Sequence, residues 1–321
     1  MSKDIEETNS YLLLKGGFPL KNTKKGMNVQ KKQQAAGWIF LAPASIMIFI
    51  MSFYPMFHAF IMSLQTGSLA NMKFLPETGK SIFFNYTWMF SDKVFTRSIF
   101  VTFLYLIIEV PIMLVLAMLL AQILNNRDLR CRGLFRTMVF LPCATSLVSY
   151  SLIFKSLFAT NGLINDVLLK LGWISSNINW LGTTSTARGV IIVALIWRWT
   201  GYNMVFFLAG LQNIEYSVYE AAKIDGANGW QTFWKITAPL LKPTIVMTGI
   251  MSINGTLQLF DESMNLTKGG PAQTTETMSH YIYDAAWQNH SFGYASAMSF
   301  LIFIMVAILS LINLKVGDSR D

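Results

Sequence analysis

An all-α fold that crosses a membrane about six times is the fold class this sequence predicts, and three observations predict it. The 321 residues are 53% hydrophobic and only 13% charged, with a mean hydropathy of +0.43, where an ordinary soluble domain carries about 25% charged residues. The apolar residues gather into six stretches, each near the ~20 residues that span a bilayer. The excess of basic residues, +8 overall, is shared unevenly among the connections. That unevenness follows membrane topology and requires no nucleic-acid partner.

Taken in order, residues 1–35 are polar and basic, with Lys3, Lys15, Lys21, Lys24, Lys25, Lys31 and Lys32. They have no early apolar run followed by a small-residue cleavage site, and they read as a cytoplasmic tail. A transmembrane domain over 36–316 follows, and 317–321 form a short cytoplasmic C-terminus. The six stretches run roughly Trp38–Leu64, Ser98–Leu124, Leu134–Phe158, Arg188–Leu211, Ile245–Met264 and Gly293–Leu314. The second contains Glu109 and Pro111, the third is interrupted by Pro142, and the fifth is the most polar. With the N-terminus inside, sixteen lysines and arginines lie in inside segments and six in outside segments. This places both termini and the connection Glu215–Pro243 in the cytoplasm. Cys131 and Cys143 form neither a metal pattern nor a disulfide framework.

The connection Glu215–Pro243 reads as two short helices. Ser217 with Glu220 three residues on has the pattern of a capping box. Val218–Asp225 would then make about two turns, and Gly226 is a left-handed stop. A second piece, Trp230–Thr237, is expected to end before Pro239, which lacks an N–H and fixes φ. A plain connection between spans would account for such a loop. Its spacing points further: Glu220-Ala221-Ala222, Gly226, Ile236 and Pro239 resemble the EAA loop of binding-protein-dependent ABC importer permeases. Here Ala238 stands where the family pattern has Leu. The resemblance implies a coupling helix that docks on a cytoplasmic ATPase, with Glu220, Ala221, Ala222, Asp225, Gly226, Ile236 and Pro239 as its residues. Small side chains at Ala221, Ala222 and Gly226 suit close approach of two backbones.

Two outside connections strengthen this resemblance. Residues 159–187 contain Gly162-Leu-Ile-Asn165 and Asn179-Trp180-Leu181, and a short amphipathic helix anchored at the interface by Trp173 and Trp180 would account for them. Leu266-Thr267-Lys268-Gly269-Gly270-Pro271, then Thr274-Thr275, Tyr281-Ile282-Tyr283 and Phe292-Gly293-Tyr294-Ala295-Ser296-Ala297, resemble the MalF- and UgpA-like permeases of the carbohydrate uptake family. The resemblance covers nearly the whole chain after residue 36. It implies a MetI-like permease fold in a bacterial cell membrane. The implied partners are a second homologous permease subunit, two copies of an ABC ATPase and an extracellular or periplasmic sugar-binding protein.

Polar side chains inside a bilayer are costly and face a cavity or a neighbouring helix. They concentrate in the fourth and fifth spans, at Trp197-Arg198-Trp199-Thr200-Gly201-Tyr202-Asn203 and at Ser252, Asn254, Thr256, Gln258, Asp261 and Glu262. Aromatic faces beside amides and hydroxyls suit a sugar, and the same hydroxyls and amides also hold helices together. The family's maltose-contacting positions fall on Trp197, Thr200, Gly201, Met204, Ser252, Gly255, Thr256 and Leu259. Those positions recur at steps of three and four and so share a face of each helix. Only Gly201 and Ser252 keep the family's residue type, so the cargo need not be maltose, and Asn203 and Gln258 are neighbours suited to another sugar. Arg198 is expected to pair with Glu109 or with a partner chain. Pro111 and Pro142 are points of static packing or of flexing.

No G-x-x-x-x-G-K-[ST] run is present, so the chain lacks a phosphate cradle of its own. It carries no cofactor, and ATP is used by partner subunits. His58, His280 and His290 show no metal-ligand spacing. The expected function is therefore the permease subunit of an ATP-driven sugar or oligosaccharide importer, not an enzyme. A permease of the same superfamily for glycerol phosphate or a polyamine is the alternative, and the coupling loop argues against an ion channel.

Overall fold

The structure, a computed structural model, describes residues 29–126 and 129–317. The basic tail assigned to 1–35 lies outside the described residues as far as 28, and the C-terminal piece lies outside them after 317. Four helices are long and apolar enough to cross a membrane: Ala36–Ser63, Lys93–Asn125, Thr184–Gln212 and Phe292–Lys315. Two bent pairs, Arg132–Ala144 with Leu147–Leu157 and Gly229–Leu240 with Lys242–Leu257, bring the number to as many as six. Helices occupy all six expected stretches in the expected order: the third is a bent pair, and the fifth is held by Lys242–Leu257, the second half of the other pair.

Residues 29–58 form one compact unit and residues 59 onward another. The first contains α1 (Val29–Ile48), a π turn at Phe49–Phe53 and the start of α2 (Tyr54–Ser63). Trp38 and Phe40 are exposed, as expected of a helix whose surroundings are apolar.

The second unit opens with a hairpin of β1 (Gln65–Thr66) and β2 (Lys73–Phe74), Gln65 opposite Phe74. The short helix α3 (Phe84–Ser91) is tied back by the buried amide of Asn85, whose Nδ2 donates to the carbonyls of Ser63 at 2.9 Å and Gln65 at 3.0 Å. Asp92 then caps α4 (Lys93–Asn125), accepting from the N–H groups of Val94 and Phe95 at 2.9 and 3.3 Å. A carboxylate at this position satisfies orphan donors and complements the helix dipole. Pro111 lies inside α4 without ending it.

The next pair, α5 (Arg132–Ala144) and α6 (Leu147–Leu157), meets at 98°. The break falls at Thr145–Ser146, three residues beyond Pro142. Pro142 removes one N–H and leaves the helix able to run on for less than a turn. Thr145 then closes it, its Oγ1 donating to the Pro142 carbonyl at 2.7 Å. Beyond α6, the loop to the next span holds α7 (Leu163–Lys170). Asn165, fully buried, closes this loop on itself. Its Nδ2 donates to the carbonyls of Thr160 at 2.9 Å and Ile178 at 2.8 Å, and its Oδ1 accepts from Trp180 Nε1 at 2.9 Å. Trp173 is 74% exposed and suits an interfacial anchor. Trp180 is instead turned inward by Asn165, so the expected pair of anchors is reduced to one.

The long helix α8 (Thr184–Gln212) packs along α4 and crosses α5. The crossing with α5 is made at Gly201, where a Cβ would sit 1.8 Å from the carbonyl oxygen of Val139. The segment after α8 holds α9 (Tyr216–Ile224), α10 (Gly229–Thr232), a π turn at Phe233–Thr237 and α11 (Ala238–Leu240). The last transverse elements are α12 (Lys242–Leu257), a π turn at Ser263–Thr267, α13 (Met278–Tyr283) and α14 (Phe292–Gly317). The fifth span ends at Leu257, earlier than the expected Met264. In the polar run beyond it, Glu262 accepts from the Tyr150 hydroxyl of α6, and Gln258 Nε2 donates back to the Asn254 carbonyl at 3.3 Å.

Candidate functional site

A cavity of about 270 Å³ opens between α4, α8, α12 and the chain that follows α12. Its walls combine Met113, Leu195, Trp199, Tyr202 and Phe260 with the polar groups of Asn203, Ser252, Thr256 and Gln258 and three carboxylates, Glu109, Asp261 and Glu262. Glu109 and Glu262 are each 2% exposed. Thr256 Oγ1 donates to Glu109 Oε2 at 3.0 Å, and the Tyr150 hydroxyl donates to Glu262 Oε1. Asn203, central in α8, holds Trp199 O through its Nδ2 at 3.1 Å and accepts weakly from Ser252 Oγ at 3.5 Å. Aromatic faces beside hydroxyl, amide and carboxylate groups can hold a polyhydroxylated molecule, the rings against its C–H faces and the polar groups against its hydroxyls.

Arg198 does not pair with Glu109. Its guanidinium, 4% exposed, reaches the broken end of α5. Nη1 donates to Pro142 O at 3.1 Å and Thr145 Oγ1 at 3.4 Å, and Nη2 to Cys143 O at 3.3 Å and Thr145 O at 3.0 Å. It also stands 4.6 Å from the ring centre of Tyr150. The reason is geometric: ending a helix in apolar surroundings leaves carbonyls without donors, and a planar five-donor cation satisfies several at once. The same charge complements the negative end of α5.

The structure brings half of the expected substrate contacts to the cavity. Ser252, Gly255, Thr256 and Leu259 line it, as do Asn203 and Gln258. Trp197, Thr200, Gly201 and Met204 lie elsewhere. Trp197 stacks with Tyr150 and Phe154 at 6.4 and 5.3 Å between ring centres. Thr200 Oγ1 donates to Ile196 O at 2.6 Å. Gly201 meets α5, and Met204 is fully buried with Phe207 and Leu211. The face of α8 toward the cavity is Leu195, Trp199, Tyr202 and Asn203, a stripe rotated from the expected one. Glu109 and Glu262 also line the cavity, beyond the contacts expected from the sequence. A carboxylate inside an apolar span was the signal that pointed to them.

The loop after α8 holds its expected residues close together but differs in its caps. Helix α9 starts at Tyr216, so Ser217 lies within it, and Ser217 Oγ donates to Glu215 Oε2 at 3.3 Å instead of capping. The capping box stands one helix later. Asn228 Oδ1 accepts from the Gln231 N–H at 2.8 Å, and Gln231 Oε1 accepts from the Asn228 N–H at 3.0 Å. Gly226 has φ +74°, the left-handed turn between the two helices. The helix does not stop before Pro239. The π turn at Phe233–Thr237 widens the backbone where the proline ring would meet the Lys235 carbonyl, and α11 runs on to Leu240. Glu220, Ala221, Asp225, Gly226 and Pro239 are exposed, Ile236 is half-buried, and Ala222 is buried. Ile224 and Trp230 are 86% and 67% exposed beside them.

At the other connection, before α14, Asp92 Oδ2 accepts from the hydroxyls of Tyr281 at 2.5 Å and Tyr294 at 2.9 Å. Burial pushes its carboxyl up, but these bonds and the cap bonds outweigh it, and the net shift is downward. Glu276, 3% exposed, shifts the other way: burial, then the charges of Asp284 and Asp92, raise it from 4.5 to about 7. Its Oε2 has no partner. His280 is lowered by burial, against the raising effect of Asp284, and its Nδ1 shares a 2.8 Å bond with Ser263 Oγ. The folded state thus holds a proton on Glu276 that the unfolded state releases above pH 4.5. Its contribution is complete below that pH and is lost as pH rises through about 7. Glu276→Gln is expected to slow amide exchange over residues 263–283 at pH 8, by up to roughly a few hundredfold for a rise from 4.5 to about 7, and to leave exchange at pH 4 unchanged. An equal effect at both pH values would remove the charge from the explanation.

Residues 81–316 match the family model described as binding-protein-dependent transport system inner membrane component. Along nearly its full length the chain is similar to the lactose transport system permease protein of Rhizobium radiobacter, with 44% identity over 301 residues, 93% of this chain and 99% of that one. It is also similar to the arabinooligosaccharides transport system permease protein of Bacillus subtilis (strain 168), 34% identical over 293 residues, 89% of this chain and 90% of that one. Among solved structures it shares its fold with a chain of a bacterial ABC transporter involved in the import of the acidic polysaccharide alginate. There the TM-score is 0.77 at 22% identity, covering 90% of this chain and 97% of that one.

Proposed function

The chain belongs to the family of binding-protein-dependent transport system inner membrane components, and on that premise we propose that it is the permease subunit of an ATP-driven importer of a sugar or oligosaccharide. The observation that carries this reading is the near end-to-end similarity to permeases named for lactose and for arabinooligosaccharides. These relatives favour a sugar over glycerol phosphate or a polyamine. The chain is a transporter component rather than an enzyme. It forms half of the translocation pathway, and a second, homologous permease subunit forms the other half. Two copies of a cytoplasmic ATPase supply the energy, and an external sugar-binding protein delivers cargo. Both termini and the α9–α11 loop lie in the cytoplasm of a bacterial cell, on the side that carries most of the basic residues. Ser252, Gly255, Thr256 and Leu259, with Asn203 and Gln258, contact the cargo.

The loop couples through a rigid exposed helix. Glu220 and Ala221 on α9 and Asp225 at its C-cap are exposed small and acidic groups, and Ile224 and Trp230 offer apolar surface that water covers poorly. ATP-driven closure of the ATPases then moves α9 as a body and shifts the balance between two states of the cavity.

Gly226 sits in open space, with nothing within 4 Å of an added Cβ, so size is not its constraint. Its constraint is φ +74°, which proline, locked near −65°, cannot adopt. Gly226→Pro is expected to abolish sugar-stimulated ATP hydrolysis by the reconstituted complex with its binding protein, while the chain still inserts. Glu220→Ala is expected to do the same. A panel of oligosaccharides in that assay tests the cargo. Hydrolysis stimulated by no sugar, in a complex that assembles, would defeat the carbohydrate reading. Full stimulation in Gly226→Pro would defeat the coupling role alone.

A further inference from the structure

One wall of the cavity is the chain from Leu259 to Glu262, just past the end of α12. It lies at the end of α12 opposite the α9–α11 loop. A second stretch, Thr275-Glu276-Thr277, is tied to this wall at both ends. Ser263 Oγ donates to Thr275 O at 2.9 Å, and Thr277 Oγ1 donates to Leu259 O. Between the two threonines Glu276 is 3% exposed, and its Oε2 is buried without a partner. Gly269 packs over it: a Cβ there would sit 3.4 Å from Glu276 Cβ and 3.5 Å from His280 Cε1. A carboxyl oxygen buried without a donor is far costlier on an anion than on the neutral acid.

Nothing around Glu276 offsets a negative charge. Asp92, the cap of α4, is held by Tyr281 of α13 and Tyr294 of α14, and Asp284 follows α13. The charges that shift Glu276 are those of Asp284 and Asp92, both negative. Two cations reach the stretch, but each serves a backbone carbonyl: Arg97 of α4 donates to Ala272 O at 3.2 Å and Arg188 of α8 to Thr274 O at 2.8 Å. The Ser263 hydroxyl gives its one hydrogen to Thr275 O, so His280 donates from Nδ1 to Ser263 Oγ, with Nε2 toward Asp284 Oδ2 at 3.8 Å. Burial lowers the His280 pKa from 6.5, so at neutral pH the ring brings no cation. Among the described residues no three such side chains could hold a metal ion. The ligand that this site takes is a proton.

We propose that Glu276 is a proton-operated clasp on the wall of the cavity: with its proton it stays seated and the two threonines hold Leu259–Ser263 in place, and without it the stretch lifts and the wall loosens. Access to the cavity from that face then depends on the pH of the compartment there. The clasp concerns the wall and is independent of the cargo. Lifted, the carboxyl releases its proton above about 4.5; seated, it does so above about 7. The clasp is therefore strongest below the first value, weakens by about tenfold per pH unit between the two, and is constant above the second.

The test is amide exchange of the assembled complex in nanodiscs from pH 5 to 9, corrected for the intrinsic pH dependence of exchange and read in peptides covering residues 257–264. Protection is expected to fall about a hundredfold from pH 5 to pH 7 and to level off above. In Glu276→Gln, which cannot ionise, protection is expected to stay at the pH 5 value throughout. Asp284→Asn removes one of the two like charges and is expected to move the levelling point below 7, a shift that a merely structural role would not produce. Protection of 257–264 that is flat with pH in the wild type overturns the proposal. So does the same fall in Glu276→Gln as in the wild type. A fall that levels below pH 6.5 and disappears in His280→Gln would place the proton on His280 and overturn it as well.

Discussion

Gly201→Ala is expected to prevent the second unit from packing, with a loss of about 3 kcal/mol or more and no measurable transport. The added methyl would lie 1.8 Å from the Val139 carbonyl oxygen, 2.6 Å from its carbon and 3.0 Å from Phe140 Cα. All three are backbone atoms of α5, so no side-chain rotation relieves the clash, and the two helices must separate along their crossing. Separation strips contacts from Val139 on one side and shifts Arg198, one turn earlier on α8, away from the carbonyls it serves. Gly189→Ala is the control. It lies on the same helix, and a Cβ there meets nothing within 4 Å, so its effect is that of helix propensity alone. The check is thermal unfolding of the detergent-solubilised complex. A melting temperature for Gly201→Ala within a degree of the Gly189→Ala value would show that the crossing is not as close as the structure has it.

Arg198→Ala is expected to have a similar effect by a different route. It leaves the carbonyls of Cys143 and Thr145 without their cation, while the Pro142 carbonyl keeps the Thr145 hydroxyl at 2.7 Å. Each buried acceptor left unsatisfied costs roughly 1–3 kcal/mol. The 98° turn between α5 and α6 has no other cation holding it among the described residues. Arg198→Lys keeps the charge but offers a point instead of a fork, and an intermediate effect is expected. Cys143 supplies a direct reading, because it is half-buried at the break and Cys131, the other cysteine, can be replaced by serine. Maleimide labelling of Cys143 in membranes is expected to be fastest in Arg198→Ala, intermediate in Arg198→Lys and slowest in the wild type. Equal rates in all three would mean that the break holds its shape without the guanidinium.

These two residues also mark where sequence reasoning stops. The spans were legible because a bilayer demands about 20 apolar residues wherever a helix crosses it, and that demand is local in sequence. The turn at Gly226 was legible for the same reason: one glycine after a short helix carries its own conformational signal. The partners of Arg198 were not legible, because they are backbone carbonyls exposed by a break whose position, three residues past Pro142, depends on Thr145. The stripe of α8 that faces the cavity lies a fraction of a turn from the one expected to meet the cargo. Apolar residues surround that helix, and its rotation is fixed by Gly201 against α5, a contact between residues about sixty positions apart. The pairing of Glu109 with Thr256 spans 147 residues, and no spacing rule reaches that far. The capping box was misplaced because Ser217–Glu220 fits the pattern equally well. The true pair, Asn228 and Gln231, differs in having a glycine and an open turn before it.

The closure of the loop after α6 on Asn165 has a consequence for engineering. One side-chain amide, with Trp180 against it, ties the two ends of the stretch together. The chain between them, from Leu171 through Asn177, is exposed apart from Ile174. That arrangement behaves as a cassette. Foreign sequence, such as an epitope or a fluorophore-labelling tag, can replace the exposed portion while the frame of Asn165 and Trp180 keeps the ends in register. The loop thus supplies a handle for immobilising or tracking the transporter that leaves α4, α8 and α12 undisturbed.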